Sequence, residues 1–231
     1  MNIFITTKNR LAETRKPTER TVNKKMVIAY GSDIQNPSIN TNIEASIIEK
    51  IGIPSDDALN FFLLASAVYI ADKKTPRLVS KDNWTRDFNL SAPTNDLIKW
   101  TRSKENVQTV LGFLTGDRWD ISFRNEKIKM FEVETTNQIN ENFDAVCLFS
   151  GGLDSTIGAI NLLEEGKSVC LVSHYDSMHT SKDQCTVWDK LNNYYEGRLE
   201  NSLFQVMVRP QPKSIYLPKL NESTLRSRSF L

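Results

Sequence analysis

The residues of this 231-residue chain best suited to chemistry gather in one short run, Ser150-Gly151-Gly152-Leu153-Asp154-Ser155. Two adjacent glycines let the backbone take conformations closed to other residues and bring its amides close to an anion, with no Cβ in the way. Together with the N-terminus of a following helix, such amides cradle a phosphate group, and the hydroxyls of Ser150 and Ser155 add donors. Asp154 would repel that phosphate unless a cation lay between them. Mg²⁺ resolves the conflict, because one carboxylate plus phosphate oxygens is an ordinary magnesium shell. The run is neither a Walker loop, whose lysine it lacks, nor the G-x-G-x-x-G fingerprint of dinucleotide binding. A plain Gly-Gly turn would explain the glycines, but neither serine and not the aspartate.

The elements around the run place it where a ligand is expected. Phe143 to Phe149 is a nearly continuous apolar stretch, the pattern of a strand buried on both faces of a parallel sheet. After the run, Ile157, Ile160 and Leu163 recur at helical spacing until Gly166 stops the element. A second buried strand over Ser168 to Ser173, a helix carrying Val187, Trp188, Leu191 and Tyr195, and a strand from Phe204 to Val208 complete an alternation that implies right-handed crossovers. In such a sheet, ligands bind where a strand's carboxyl end turns into the next helix.

Upstream, Met26 to Tyr30 reads as a strand. A helix follows, with Ser55 as N-cap, Asp56 and Asp57 in its first turn and Pro76 as its stop. Phe88, Leu90 and Ala92 alternate as in a half-buried strand, a helix carrying Trp100, Val107 and Leu111 ends at Gly116, and Trp119, Ile121 and Phe123 alternate again. With a further strand over 127–134, this predicts a small α+β domain at 1–140, able to fold alone. A polar linker from Thr135 to Asn142 leads into an α/β domain at 141–231.

Composition is that of an ordinary globular chain, 39% hydrophobic and 25% charged. Twenty-nine basic and twenty-eight acidic side chains leave a formal charge of +1, so charge does not indicate a nucleic-acid partner and any polyanion site must be local. The absence of a long apolar run or an apolar leader predicts a cytoplasmic protein with no membrane partner. Cys147, Cys170 and Cys185 form no C-x-x-C pair, which argues against a zinc site or a disulfide framework. Trp84, Trp100 and Trp119 are compatible with core packing or with docking.

The S-G-G-L-D-S run after a buried strand resembles the PP-loop of the ATP pyrophosphatases, over about residues 143–231. Val146-Cys147-Leu148-Phe149-Ser150-Gly151-Gly152-Leu153-Asp154-Ser155-Thr156 is most similar to 7-cyano-7-deazaguanine synthase (QueC). The segments 71–73, 83–86 and 113–119 resemble the extra N-terminal domain of QatC-type proteins of bacterial anti-phage defence. The resemblance implies an adenine-nucleotide alpha-hydrolase-like, Rossmann-like fold that binds ATP and Mg²⁺. It implies activation of an acid or amide oxygen by adenylation, with release of AMP and pyrophosphate. Residues Leu148 to Ser155 and His174 would bind the nucleotide, Asp154 would carry Mg²⁺, and Arg228, with Arg226 as runner-up, would face the departing pyrophosphate.

Tyr175-Asp176-Ser177-Met178-His179 departs from the synthases' Asp-Tyr-Gly-Gln-Arg-His, which leaves the deazaguanine substrate open, and their four-cysteine zinc site has no counterpart here. His174 and His179 read as bases or as ordinary loop residues. Because the family's proteins continue well beyond the position of Leu231, the resemblance also implies a C-terminally shortened chain, with one sheet face left uncovered. The alternative function is a non-catalytic ATP-binding scaffold or sensor that docks partners from a defence operon through its N-terminal domain.

Overall fold

The structure is a computed structural model that describes residues 1–21, 24–52, 54–128, 130–131, 142–223 and 226–231, with Arg228 and Ser229 described by backbone alone. The chain divides into two units, one of Met1–Asn40, Pro54–Glu132 and Arg209–Leu231, the other of Thr41–Ile53 and Val133–Val208. The expected boundary at 140 lies outside the described residues. Two segments depart from the expected division, since 41–53 belongs to the second unit and 209–231 to the first.

In the first unit, apolar Ile3-Phe4-Ile5 and Met26 to Ala29 form strands β1 (Asn2–Thr6) and β2 (Lys25–Ala29), joined through helix α1 (Asn9–Arg15). Helix α3 (Asp56–Lys74) begins at Ser55, whose Oγ accepts the Ala58 amide at 3.4 Å. It leads to β4 (Asp87–Thr94), helix α4 (Leu97–Thr115) and β5 (Arg118–Asn125). Asp96 caps α4 by accepting the Lys99 amide at 3.0 Å, and Gly116 ends it in the left-handed conformation at φ +71°.

The strands lie in the order β2-β1-β4-β5, and every neighbouring pair is parallel. The first unit is therefore α/β, which corrects the expected α+β class. The alternation of β4 and β5 was misleading for a physical reason. α3 and α4 bury Phe88, Leu90, Trp119 and Ile121, while Asn89, Ser91, Asp120 and Ser122 face the other way, so a parallel sheet carries the half-buried pattern of an antiparallel one. The strand expected over 127–134 is not formed by its described residues. Ile128 instead donates its amide to Asn95 Oδ1 at 2.8 Å, and the remainder lies outside the described residues.

Buried charges tie this unit together. Arg86 donates to Asp72 Oδ1 at 2.6 Å and to Asp117 Oδ2 at 2.5 Å, and Arg77 reaches both oxygens of Asp117 at 3.0 and 3.2 Å. The second oxygen of Asp72 accepts the amides of Arg226 and Ser227, each at 3.0 Å. The 209–231 segment also contributes Tyr216, which is fully buried with Phe4, Ala12, Val27 and Ala29 and accepts the Val27 amide at 3.2 Å through its carbonyl. These contacts argue against the expectation that residues 1–140 fold alone. Such a fragment lacks Tyr216, whose burial is worth about 1.5–3 kcal/mol, and leaves one oxygen of a buried carboxylate without its two donors. It should lose cooperative thermal melting by circular dichroism, and a sharp transition matching that of the full chain would contradict this.

In the second unit, β6 (Ala145–Leu148), helix α5 (Leu153–Glu164), β7 (Val169–Tyr175), helix α6 (Met178–Tyr194) and β8 (Leu203–Pro210) alternate as expected. β6, β7 and β8 run parallel in a sheet ordered β3-β8-β7-β6, with β3 at Ile39–Thr41. A helical turn at Glu44–Ile48 continues into α2 (Glu49–Ile51). Phe149, Ala159, Leu163, Leu171 and Leu191 form the core beneath α5 and α6. β6 is an edge strand and not the doubly buried one expected, with Val146 69% and Leu148 78% exposed. A continuous apolar run does not reveal which of its faces is covered. Among the described residues no helix is long and apolar enough to cross a membrane.

Candidate functional site

The Ser150–Ser155 loop turns from the carboxyl end of β6 directly into α5. Phe149 anchors its start, 1% exposed, donating its amide to Val172 at 2.7 Å and accepting the Ser173 hydroxyl at 2.5 Å. Gly152 is the N-cap of α5, and no side chain caps that helix start. The amides of the first turn are thus left to another acceptor, and the positive end of the helix dipole lies with them. Asp154 is exposed in that first turn.

The loop is braced by its own hydroxyls. Ser150 Oγ accepts the Gly152 amide at 3.2 Å and lies 3.1 Å from Ser155 Oγ, which in turn donates to the Gly152 carbonyl at 3.0 Å. Thr156 donates to the same carbonyl at 2.8 Å. Both serines therefore shape the turn, a role that residue types alone did not reveal.

The two glycines are not equivalent. Gly151 sits at φ +78°, and a Cβ there would stand 3.3 Å from Gln184 Cα, a backbone atom of α6. Gly152 has φ −82°, open to any residue, and its Cβ would meet only the rotatable Ser150 hydroxyl at 3.3 Å. Gly151→Ala should therefore cost more stability than Gly152→Ala, by about 1–2 kcal/mol, measured by urea denaturation. Equal midpoints for the two variants would refute this assignment of the strained position.

Behind the loop lies a polar relay. Gln184 donates to the His174 carbonyl at 3.0 Å and accepts from Gln205 at 2.9 Å, while Gln205 also donates to the Ser181 carbonyl at 3.0 Å. Gln184, 1% exposed, holds α6 against β7 where Gly151 needs its clearance. Sequence reading passed over it, because a single polar residue at a helical position carries no visible signal.

Leu148 and Leu153, 78% and 75% exposed, flank the loop with apolar side chains open to a ligand. His174 is half-buried, its Nε2 lying 3.2 Å from the Val208 carbonyl, so the ring braces two strands. His179 is exposed and pairs with Asp183 at 2.8 Å one helical turn away, as an ordinary surface residue does. Arg228 belongs to the first unit, in the 3₁₀ turn Ser227–Phe230, whereas the loop belongs to the second. Arg226 stacks over Trp84 at 4.4 Å. Trp100 and Trp119 are core, and Trp84 is half exposed.

Burial pushes the Cys170 thiol up to about 11 and raises that of Cys147, which disfavours the thiolate that sulfur chemistry needs. Among the described residues no group of three His, Cys, Asp or Glu side chains could hold a metal. The loop offers a divalent cation one carboxylate, Asp154. This fits a magnesium ion whose remaining ligands are phosphate and water oxygens, and does not fit a cage built by protein alone. No protein family, curated protein or solved structure matches the chain.

Proposed function

We propose that the second unit binds ATP through Ser150–Ser155 and activates an acid or amide oxygen by adenylation. The observation that carries this reading is an uncapped helix start, entered through a left-handed glycine, at the carboxyl end of a parallel strand. The sequence S-G-G-L-D-S supplies the rest by its resemblance to the PP-loop. In the proposed reaction the acceptor oxygen attacks the α-phosphorus, a new P–O bond forms, and the bond to the β-phosphate oxygen breaks to release pyrophosphate; AMP then leaves when water or another nucleophile attacks the activated carbon of the adenylated acceptor.

The residues divide the work. The α5 amides and the Ser150 hydroxyl hold phosphate oxygens, the Ser155 hydroxyl joins them by turning from the Gly152 carbonyl, and Leu148 and Leu153 present apolar surface to the adenine. Mg²⁺, when bound beside Asp154, offsets the phosphate charge. Arg228 is proposed to pair with charge on the leaving group. The main chain of Phe149 and the carbonyl of His174 are already bonded within the fold, so the adenine is read chiefly by the loop and its flanking leucines.

A QueC-like enzyme of a QatC-type defence system, working in the cytoplasm with protein partners at the first unit, is the setting that the resemblance supports. Asp72, Arg86 and Asp117 of the resembling segments serve the buried ion network, so their pattern also answers to stability. The test is direct: the chain is incubated with ATP, Mg²⁺ and candidate acceptors, and the products are separated. AMP with pyrophosphate supports adenylation. ADP with phosphate refutes it, and tight binding of ATP that stays intact leaves the scaffold reading.

A further inference from the structure

The structure assigns a second, separate anion site to the first unit: a cleft of about 700 Å³ where the end of α3 meets the 209–221 segment, suited to a ligand with several phosphate groups in series. Its lining includes Lys73, Lys74, Arg209, Lys213 and Lys219 and, among the described residues, no Asp or Glu. Lys73 and Lys74 alone would be ordinary, since cations in a last helical turn are stabilised by the helix dipole. That account does not reach Arg209, Lys213 and Lys219, which come from a segment more than a hundred residues away and line the same cleft.

Elsewhere among the described residues, Arg77, Arg86, Lys99, Lys104, Arg118, Arg124 and Lys167 pair with carboxylates. Within the cleft, Lys74 donates to the neutral Asn221 Oδ1 at 2.8 Å, and the buried Nε of Arg209 has no hydrogen-bond partner among the described residues. Burial and the neighbouring Lys73 both lower the pKa of Lys74, the response of an ammonium short of compensating negative charge. Ile215, Leu217 and Pro218 add apolar wall to the cleft.

The ligand class follows from the side chains. Four of the five cations are lysines, compact point charges suited to phosphate, whereas carboxylates favour the planar fork of arginine. No aromatic ring lines the cleft among the described residues, so bases would find no stacking platform and recognition rests on the phosphates. Such a run of phosphates comes either from a small polyphosphate or from the backbone of a nucleic-acid strand.

The experiment titrates the full chain with tripolyphosphate, with a 12-nucleotide single-stranded DNA and with an oligoglutamate of matched charge, at two salt concentrations. Lys213 and Lys219 are exposed loop residues, so the double variant Lys213→Glu/Lys219→Glu should melt like the parent, which the same samples check. Tripolyphosphate binding weakened at least tenfold in this variant supports the site and assigns a small ligand. DNA binding weakened likewise, with a salt slope reduced by about 0.7 for each lysine lost, supports it and assigns a strand. Absence of binding by both phosphate probes, oligoglutamate bound as tightly as either, or binding that Gly151→Val in the other loop removes and the lysine variant does not, would overturn it.

Discussion

Arg86→Ala should cost on the order of 3–5 kcal/mol, a large part of the stability of an ordinary domain. The guanidinium is 2% exposed and holds two carboxylates that are fully buried. It also donates to the carbonyls of Asp72 at 3.0 Å and Thr75 at 2.6 Å. Its removal leaves Asp72 with backbone donors only and Asp117 with Arg77 and the backbone amide of residue 86, in surroundings that water does not reach. The contrasting variant is Arg118→Ala, which breaks a pair to Asp87 whose partners are 77% and 70% exposed, and should change stability by about 0–1 kcal/mol. Urea midpoints compare the two, and an unchanged midpoint in Arg86→Ala would show that the network contributes nothing.

The same network sets an acid limit. Burial alone would raise the Asp72 carboxyl, but the hydrogen bond and charge of Arg86, together with the amides of Ser227 and Arg226, hold it below the usual carboxylate value. Since the folded value lies below the unfolded one, near 3.9, this stabilisation is fully present above about pH 4 and is lost as pH falls through the folded value. Acid should therefore loosen the 226–230 turn at a pH where exposed pairs no longer matter.

Asp154→Ala is expected to lower Mg²⁺-dependent pyrophosphate release by at least about 10²-fold while leaving the urea midpoint nearly unchanged. The carboxylate is exposed on the first turn of α5, and the fold has no use for it beyond a small favourable interaction with the helix dipole. Ser155→Ala removes a donor that also braces the turn and should cost about 1–3 kcal/mol, divided between folding and binding. Arg228→Ala should lower kcat more than it weakens ATP affinity, because its proposed contact strengthens as charge develops on the leaving pyrophosphate. Full activity in Asp154→Ala would mean that the loop holds its nucleotide by other means.

Local patterns in the sequence were enough for the elements next to the loop. Ser55, Gly116 and Gly166 sit at the helix ends their residue types indicate, and β6, α5, β7, α6 and β8 follow the order read from apolar runs and helical spacing. These are short-range effects, in which a cap or a left-handed glycine answers to the next few residues of its own chain. The loop was legible for the same reason, since its glycines, hydroxyls and carboxylate are contiguous.

What the tertiary structure decided depends on partners distant in sequence. Alternation in β4 and β5 was the same whether the strands ran parallel or antiparallel, and only the neighbours β1, α3 and α4 settled it. The strict glycine is Gly151 and not Gly152, because α6 passes within reach of one and not of the other. The return of 209–231 to the first unit, which buries Tyr216, gives Asp72 its amides and draws Arg209, Lys213 and Lys219 toward Lys73 and Lys74, has no local signature. Loop closure over such separations costs only slowly more with length, so burial and charge pairing between remote segments decide where the chain goes, and neither is written in the spacing of neighbours.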